Sequence, residues 1–216
     1  MTRANRSVAL WGLLIVALTV GCHGPTKSGA ERPLDGVLVR ADDTYWLLPD
    51  QPTPCVLHLG AEPIPVTCTV TPSPDTEPDR YVLRLSAEGQ ELVEQYAADR
   101  DGIAFVGSGV DRFEPPIPLL QYGRQIGDEW EWTGINITEG EPAIPANASI
   151  RTSEDMLRLP AGSVQSIKVS VMVYLGGSRK PAEEMLFWFA PRLGLVRAEL
   201  AGYRRTMGES PASDGE

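Results

Sequence analysis

The stretch SIKVSVMVYL, residues 166–175, decides the fold class of this chain. Apolar residues recur at every second position along it. They are Ile167, Val169, Val171, Val173 and Leu175. A period of two over ten residues is typical of a half-buried β-strand and does not fit a helix, whose apolar positions recur every three or four residues. The stretch therefore predicts a long strand with one face in the core.

The segments that follow predict two more strands. GGSRKP (176–181) and APRLG (190–194) are rich in the residues that form turns, and they flank EMLFWF (184–189). LVRAEL (195–200) comes directly after the second turn. Short apolar runs separated by such turns form antiparallel hairpins. We therefore predict three consecutive antiparallel strands at the C-terminal end of the domain.

Similar short runs precede this region and predict further strands. They are GVLVR (36–40), TYWLL (44–48), YVLRLS (81–86), ELVEQYA (91–97), IAFVG (103–107) and DEWEWTG (128–134). The stretch ELVEQYAADR at 91–100 is also compatible with a short helix, but its position between two Gly-containing turns favours a strand. The sequence predicts an all-β, mainly antiparallel domain: a single curved sheet, half-barrel or barrel-like, with about ten strands and little helix.

The N-terminal segment predicts an export signal. Arg3 and Arg6 precede an uncharged run from Val8 to Val20, which is shorter than the about 20 residues of a membrane span. The end of the run, LTVGC at 18–22, resembles the lipobox of bacterial lipoprotein precursors, although Thr19 stands where that family more often has Leu. The resemblance implies that residues 1–21 are removed and that Cys22 carries the lipid. An ordinary signal peptide that contains a cysteine is the alternative.

The remaining boundaries follow from composition. Residues 22–34 are mainly small or polar and predict a flexible tether, residues 35–205 are predicted to form the β-domain, and residues 206–216 predict a disordered tail.

A lipid anchor predicts a protein of the cell envelope, held to a membrane outside the cytoplasm. His23 follows the cysteine where an inner-membrane lipoprotein commonly has aspartate, so the pattern resembles that of outer-membrane lipoproteins facing the periplasm, if the cell is Gram-negative.

The charge of the chain argues against nucleic acid as a partner. The net charge is −10, and removal of residues 1–21, which hold two arginines and no acid, would leave −12. Binding of nucleic acid requires clustered Lys and Arg, and an acidic surface is repelled by anionic lipid head groups. We therefore expect the lipid, and not charge, to hold the protein at the membrane.

Cys55 and Cys68 predict a disulfide, because thiols in an exported chain meet an oxidising compartment. The twelve residues between them, VLHLGAEPIPVT, read as two short strands of a hairpin, and closing such a loop contributes ~3 kcal/mol. Free thiols are one alternative. A metal site is the other, but zinc requires three or four ligands and His58 is the only histidine of the domain, so no metal is expected.

The sequence offers few residues for catalysis. Ser108 lies between glycines in VGSGV (106–110), but it lacks the Gly-x-Ser-x-Gly frame and a following helix, so a turn is the simpler interpretation. A Ser–His–Asp site would have to use His58. No phosphate-binding glycine loop is present. We therefore predict no catalytic residue, no cofactor and no enzymatic activity.

Two acidic segments support an alternative, in which the protein is an enzyme that uses paired carboxyl groups. Glu129 and Glu131 share one strand face opposite Trp130 and Trp132, and residues two apart on a strand lie ~7 Å apart, within the range of paired glycosidase carboxylates. An amphipathic strand with its acids outward and its tryptophans in the core explains the pattern without catalysis.

The loop at 138–149 carries further acids that such an enzyme could use. It carries Glu139 and Glu141, which could also hold a calcium ion, although their spacing matches no regular calcium loop.

Three stretches carry a resemblance to a known group of proteins. They are GRQIGDEWEWTG (123–134), LRLPAGSVQSIKV (157–169) and WFAPRLGLVRAEL (188–200). They are similar to the C-terminal sheets of uncharacterised bacterial envelope proteins, whose curved antiparallel sheets resemble half-barrels of the lipoprotein-carrier type. The resemblance implies a sheet that can enclose an apolar ligand and implies no reaction.

These observations predict a membrane-anchored envelope lipoprotein whose β-domain is a non-catalytic binding or envelope-assembly module. Its partner would be an apolar ligand or another envelope protein. The inner face around Trp188, Phe187, Val169 and Val171 would hold the ligand, unless that face is a filled core. The alternative function is a hydrolase of cell-envelope glycans that uses the acids named above.

Overall fold

The computed structural model describes residue 39 and residues 51–60, 62–73 and 79–208. The predicted signal, Cys22, the tether and the predicted strands at 36–40 and 44–48 lie outside the described residues, apart from Val39. No helix in these described segments is long and apolar enough to span a membrane.

The described residues form twelve strands. In chain order they are β1 (Thr53–His58), β2 (Pro63–Pro72), β3 (Arg80–Ala87), β4 (Gln90–Asp99), β5 (Gly102–Ser108), β6 (Asp111–Gln121), β7 (Glu129–Thr138), β8 (Ile144–Leu159), β9 (Gly162–Leu175), β10 (Glu183–Ala190), β11 (Gly194–Leu200) and β12 (Tyr203–Met207).

Each strand pairs antiparallel with its neighbours in sequence, and β1 also pairs with β12, so the sheet closes into a barrel. The prediction of an all-β, antiparallel, barrel-like fold is confirmed. Closure removes the free edges that a half-barrel would leave, because β1 and β12 hydrogen-bond to each other from Cys55↔Met207 to His58↔Arg204. The last strand runs to Met207, two residues into the segment predicted as a tail.

The strand that decided the fold class lies where the periodicity placed it. β9 pairs with β8 over its whole length, from Ala146↔Leu175 to Leu159↔Gly162. Ile167, Val169 and Val171 are completely buried, and burial of each such side chain contributes about 1.5–3 kcal/mol. β9 and β10 also pair, as do β10 and β11, so the predicted C-terminal meander is confirmed.

Aromatic side chains fill the middle of the barrel. The ring of Phe105 lies with its centroid 5.5 Å from those of both Tyr96 and Phe187, and 6.2 Å from that of Phe113. Trp132 packs edge-on against Phe113 at 5.9 Å. Such tilted and edge-on contacts are the favoured geometries of aromatic pairs. Around Phe187, Val169 and Val171 the inner face is therefore a packed core, the second of the two possibilities that the sequence left open.

The prediction that Trp188 lies on the inner face of the sheet is wrong, because its side chain lies on the outside of the barrel. Consecutive side chains of a strand point to opposite faces, so Phe187 and Trp188 cannot both point inward. Trp188 packs with Leu157, Ala190 and Val196 in a small cluster separate from the barrel core. Its Nε1 donates to Asp155 Oδ2 at 2.7 Å.

One ion pair lies inside the barrel. Arg205 on β12 and Glu94 on β4 are both completely buried, and three strands separate them around the barrel wall. Arg205 Nε donates to Glu94 Oε1 at 3.2 Å, and Nη2 donates to Oε2 at 3.1 Å. Burial lowers the pKa of Arg205, but the charge and hydrogen bond of Glu94, together with smaller contributions from Tyr96 and Cys68, raise this pKa above its ordinary value. The guanidinium therefore stays charged and ties the last strand to β4.

We expect Arg205→Met to lower the free energy of unfolding by about 3–5 kcal/mol, because it leaves the Glu94 charge buried without its partner. Urea denaturation followed by circular dichroism measures the change. The surface pair between Arg84 and Glu91 provides the matched control: its atoms are 2.9 Å apart, but the two side chains are 38% and 44% exposed. Arg84→Met should cost less than about 1 kcal/mol.

The double variant Glu94→Leu with Arg205→Met should recover much of the lost stability, because neither charge then remains in the core. If Arg205→Met costs no more than Arg84→Met, the buried ion pair does not stabilise the barrel.

Candidate functional site

A cavity of about 310 Å³ lies in one end of the barrel. Residues of four hairpins line it: β5–β6, β7–β8, β9–β10 and β11–β12. This volume is at the lower end of the range for small-molecule sites, roughly 300–1,000 Å³. The cavity has an apolar wall, a polar floor and an acidic rim.

The wall consists of side chains from the inner faces of the strands. They are Phe105, Phe113, Ile144, Val173, Leu175 and Met185. The first two also belong to the aromatic core, so the cavity begins where the packed interior ends. A wall of this kind favours contact with a hydrocarbon or aromatic group.

The floor contains Ser108 and Tyr203, whose hydroxyl oxygens lie 3.0 Å apart. The hydroxyl of Tyr203 also donates to Glu94 Oε1 at 3.2 Å, and that of Tyr96 donates to Glu94 Oε2 at 2.6 Å. The buried ion pair is therefore connected to the cavity through Tyr203. From the described part of the chain, Glu94 accepts four hydrogen bonds, two from the tyrosines and two from Arg205.

The protonation of these groups fixes the direction of each hydrogen bond. Burial, followed by the nearby Glu94 charge, raises the pKa of both Tyr96 and Tyr203 far above the physiological range, so both phenols keep their protons. Tyr203 donates its single proton to Glu94 and must therefore accept from Ser108. The Ser108 oxygen is left with lone pairs and no proton for the cavity.

Backbone geometry brings Ser108 to the floor. A Cβ atom at Gly107 would collide with the carbonyl oxygen of Asp111, so only glycine allows β5 and β6 to approach this closely beside the hairpin. Ser108 and Asp111 are then directly paired in the ladder, which places their side chains on the same face of the sheet.

The rim carries three carboxyl groups, of Asp111, Glu141 and Glu183. Asp111 Oδ1 accepts a hydrogen bond from Thr138 Oγ1 at 2.5 Å, and Glu183 Oε1 accepts one from the backbone N–H of Ala201 at 3.1 Å. Burial raises the pKa of Glu183, the Ala201 hydrogen bond opposes the rise, and the charge of Asp111 adds to it. The described residues that line the cavity include no Lys, Arg or His, so nothing basic in the lining balances these acids.

The acids singled out from sequence are divided between two places. Glu129 and Glu131 are exposed on the outer face of β7, while Trp130 and Trp132 are buried on the inner face, which confirms the amphipathic strand. Glu139 and Glu141 lie in the β7–β8 hairpin, and only Glu141 lines the cavity. The four acids therefore do not form one site. Among the described residues, no group of three or more His, Cys, Asp or Glu could hold a metal ion.

Cys55 and Cys68 lie on the predicted hairpin, now β1 and β2, where Thr53 pairs with Cys68 and Cys55 with Val66. Both are buried, free thiols that hydrogen-bond to each other. That hydrogen bond lowers the pKa of Cys55 against the effect of burial, and it raises the pKa of Cys68 together with burial. The thiols are close neighbours, no bond joins them in the structure, and the disulfide stays a prediction.

Sequence reasoning missed Glu94, Arg205, Tyr203 and Glu183. A signal for Glu94 was present, because in ELVEQYAAD it occupies the same alternate positions as Leu92, Tyr96 and Ala98. A charged residue in the apolar phase of a strand must find a buried partner or leave the core. Ser108 was noted only as part of a turn, and its hydrogen-bond partner is Tyr203.

In comparisons with known proteins, no family model, no curated protein and no solved structure matches this chain.

We expect Glu183→Gln to raise the thermal unfolding temperature at pH 7. The raised pKa of Glu183 means that its ionised form destabilises the folded state, whereas a neutral amide of the same shape can still accept the Ala201 hydrogen bond. As the pH falls through that raised pKa to below ~4, wild-type Glu183 becomes protonated and the difference should disappear.

Differential scanning fluorimetry between about pH 3 and pH 8, a range that extends below the ordinary pKa of a glutamate, measures the effect. Glu184→Gln is the matched control, because Glu184 is the next residue of β10 and is exposed on the outer face. An equal change in both variants at pH 7, or a difference that persists at low pH, would contradict the assignment of a desolvated carboxylate to the rim.

Proposed function

We propose that this protein is a lipid-anchored binding protein of the cell envelope, whose barrel binds a small, largely apolar molecule without chemical change. The observation that carries the proposal is the cavity of about 310 Å³ with its apolar wall and polar floor. A packed barrel with no such space would favour a purely structural or assembly role. The cavity therefore favours a ligand over an envelope-protein partner.

The size of the cavity limits the ligand. At about 30 Å³ per water molecule, the volume corresponds to about ten waters. The ligand, or the part of it that enters the barrel, then has about ten non-hydrogen atoms. A single short alkyl chain or a substituted aromatic ring fits this description, while a whole phospholipid does not.

The polar floor supports binding over catalysis. Ser108 hydrogen-bonds to a phenol that keeps its proton, so the structure gives it no general base. Glu94 already accepts four hydrogen bonds and faces a permanently charged Arg205. Groups held in this way orient a ligand and do not exchange protons with it.

Binding of 1-octanol tests the cavity. Titration calorimetry of the full chain carrying Cys22→Ser should show one site, and each methylene added between 1-hexanol and 1-octanol should tighten binding about fourfold, from ~0.8 kcal/mol per buried CH₂. Leu175→Trp places an indole in the cavity and should abolish binding.

Tyr174→Trp is the matched control and should bind as the wild type does, because Tyr174 is the neighbouring residue on the opposite face of β9. Binding that survives Leu175→Trp, or the absence of any binding, would overturn the proposed site.

The anchor is supported by the sequence of residues 1–22. We expect radiolabelled palmitate to enter the wild-type protein in its own host or in a bacterial host with lipoprotein processing, and Cys22→Ser to remove both the label and most of the membrane association. Two or more acyl chains hold a protein firmly, whereas an acidic domain has no attraction of its own for anionic lipid. An unlabelled protein that stays membrane-bound with serine at position 22 would contradict the anchor.

A hydrolase of envelope glycans is the second candidate. The observation that favours it is the raised pKa of Glu183, to which the charge of Asp111 contributes, since a glycosidase uses two carboxyl groups, one of which has a raised pKa. Release of reducing ends from peptidoglycan by the wild type and not by Glu183→Gln would favour this candidate over the binding protein.

A further inference from the structure

The cavity presents hydrogen-bond acceptors at the place where its floor meets its rim. Ser108 uses its proton on Tyr203 and so offers only oxygen lone pairs. Asp111 is the direct ladder partner of Ser108, and its carboxyl group lies on the same face. Glu183 completes the group from β10, close enough to Asp111 for the charge of Asp111 to act on its carboxyl group.

The direction of the hydrogen bonds comes from outside the rim. Arg205 donates hydrogen bonds to Glu94, the hydroxyl of Tyr203 also donates to Glu94, and the hydroxyl of Ser108 donates to Tyr203. This sequence of donors runs away from the cavity toward the ion pair. If a ligand offered only hydrogen-bond acceptors, the lone pairs of its acceptor atom would face the lone pairs of the Ser108 oxygen, and the two atoms would repel each other.

From this arrangement we infer that the cavity selects a primary amine with an apolar body. The protonated nitrogen of the amine binds among Ser108, Asp111 and Glu183. Its hydrocarbon part packs against the apolar wall, at Phe105, Phe113, Val173 and Leu175. This ligand class rests on the proposed function, the binding of a small apolar molecule in the cavity. An ammonium group has three donors and no acceptor, which matches three acceptor side chains. Its charge also offsets the acids of a lining that contains no basic residue among those described.

The same features exclude other ligand classes. A fatty acid would bring a carboxylate next to Asp111 and Glu183, and like charges disfavour each other strongly in a partly buried site. A neutral alcohol keeps one donor and the apolar contacts and gains nothing from the charges. The expected order of affinity is amine, then alcohol, then carboxylate.

Three probes with the same chain length test this order: octylamine, 1-octanol and octanoate. With titration calorimetry on the full chain carrying Cys22→Ser at pH 7, octylamine should bind at least tenfold more tightly than 1-octanol, and octanoate should bind more weakly than either. Glu183→Gln and Ser108→Ala should each weaken octylamine several-fold, and Glu183→Gln should weaken 1-octanol less than it weakens octylamine.

Glu184→Gln is the control for the change of net charge, and it should leave the affinities of all three probes unchanged. Unfolding curves of every variant show whether it is folded at the temperature of the titration.

The failures of the two proposals are distinguishable. Binding of 1-octanol that is lost in Leu175→Trp, with octylamine no tighter, would overturn the amine and leave the binding site. Octanoate as the tightest probe, or an equal loss of octylamine in Glu184→Gln and Glu183→Gln, would overturn the amine in the same way. The absence of binding by 1-octanol and octylamine alike would overturn the binding site and the amine together.

Discussion

The ion pair between Arg205 and Glu94 is the interaction on which the rest of the structure depends. Each charge would cost several kcal/mol to bury alone, so any arrangement that separates them inside the barrel is strongly disfavoured. A slip of one residue along β12 would turn Arg205 to the outer face and leave Glu94 without its partner. The pair therefore fixes the register of the last strand, and with it the contact between β12 and β1 that closes the sheet.

The same pair sets the chemistry of the cavity, although neither residue lines it. Glu94 accepts hydrogen bonds from Arg205 and from the hydroxyl of Tyr203, which in turn accepts from Ser108, so the Ser108 oxygen faces the cavity as an acceptor. The interior is thus divided along its length. Aromatic packing around Phe105 and Phe187 fills the middle, and Phe105 also lines the space at one end, where Ser108 and Tyr203 connect that space to the polar network. A site that recognises donors is a direct consequence of where one arginine was buried.

Much of the fold could be predicted because β-periodicity is local. The alternation in β9, the turns that follow it and the opposite faces of Glu129 and Trp130 all depend on residues close in sequence. Three strands were missed for identifiable reasons. β6 contains three prolines, β8 reads as a polar segment around NASIRTSEDM, and β12 consists of only five residues with two arginines. In each, pairing with both neighbours in a closed barrel outweighs a weak local preference.

The sequence by itself determined the strand class, the order of the hairpins and the face that each strong strand turns inward, since these follow from side-chain period and turn chemistry. Only the tertiary structure decided that the sheet closes and which polar side chains meet inside it. Glu94 and Arg205 are 111 residues apart, and Ser108 and Tyr203 are 95 apart. No pattern within one strand encodes such a contact, because it exists only after β12 has paired with β1 and brought its inner face opposite β4.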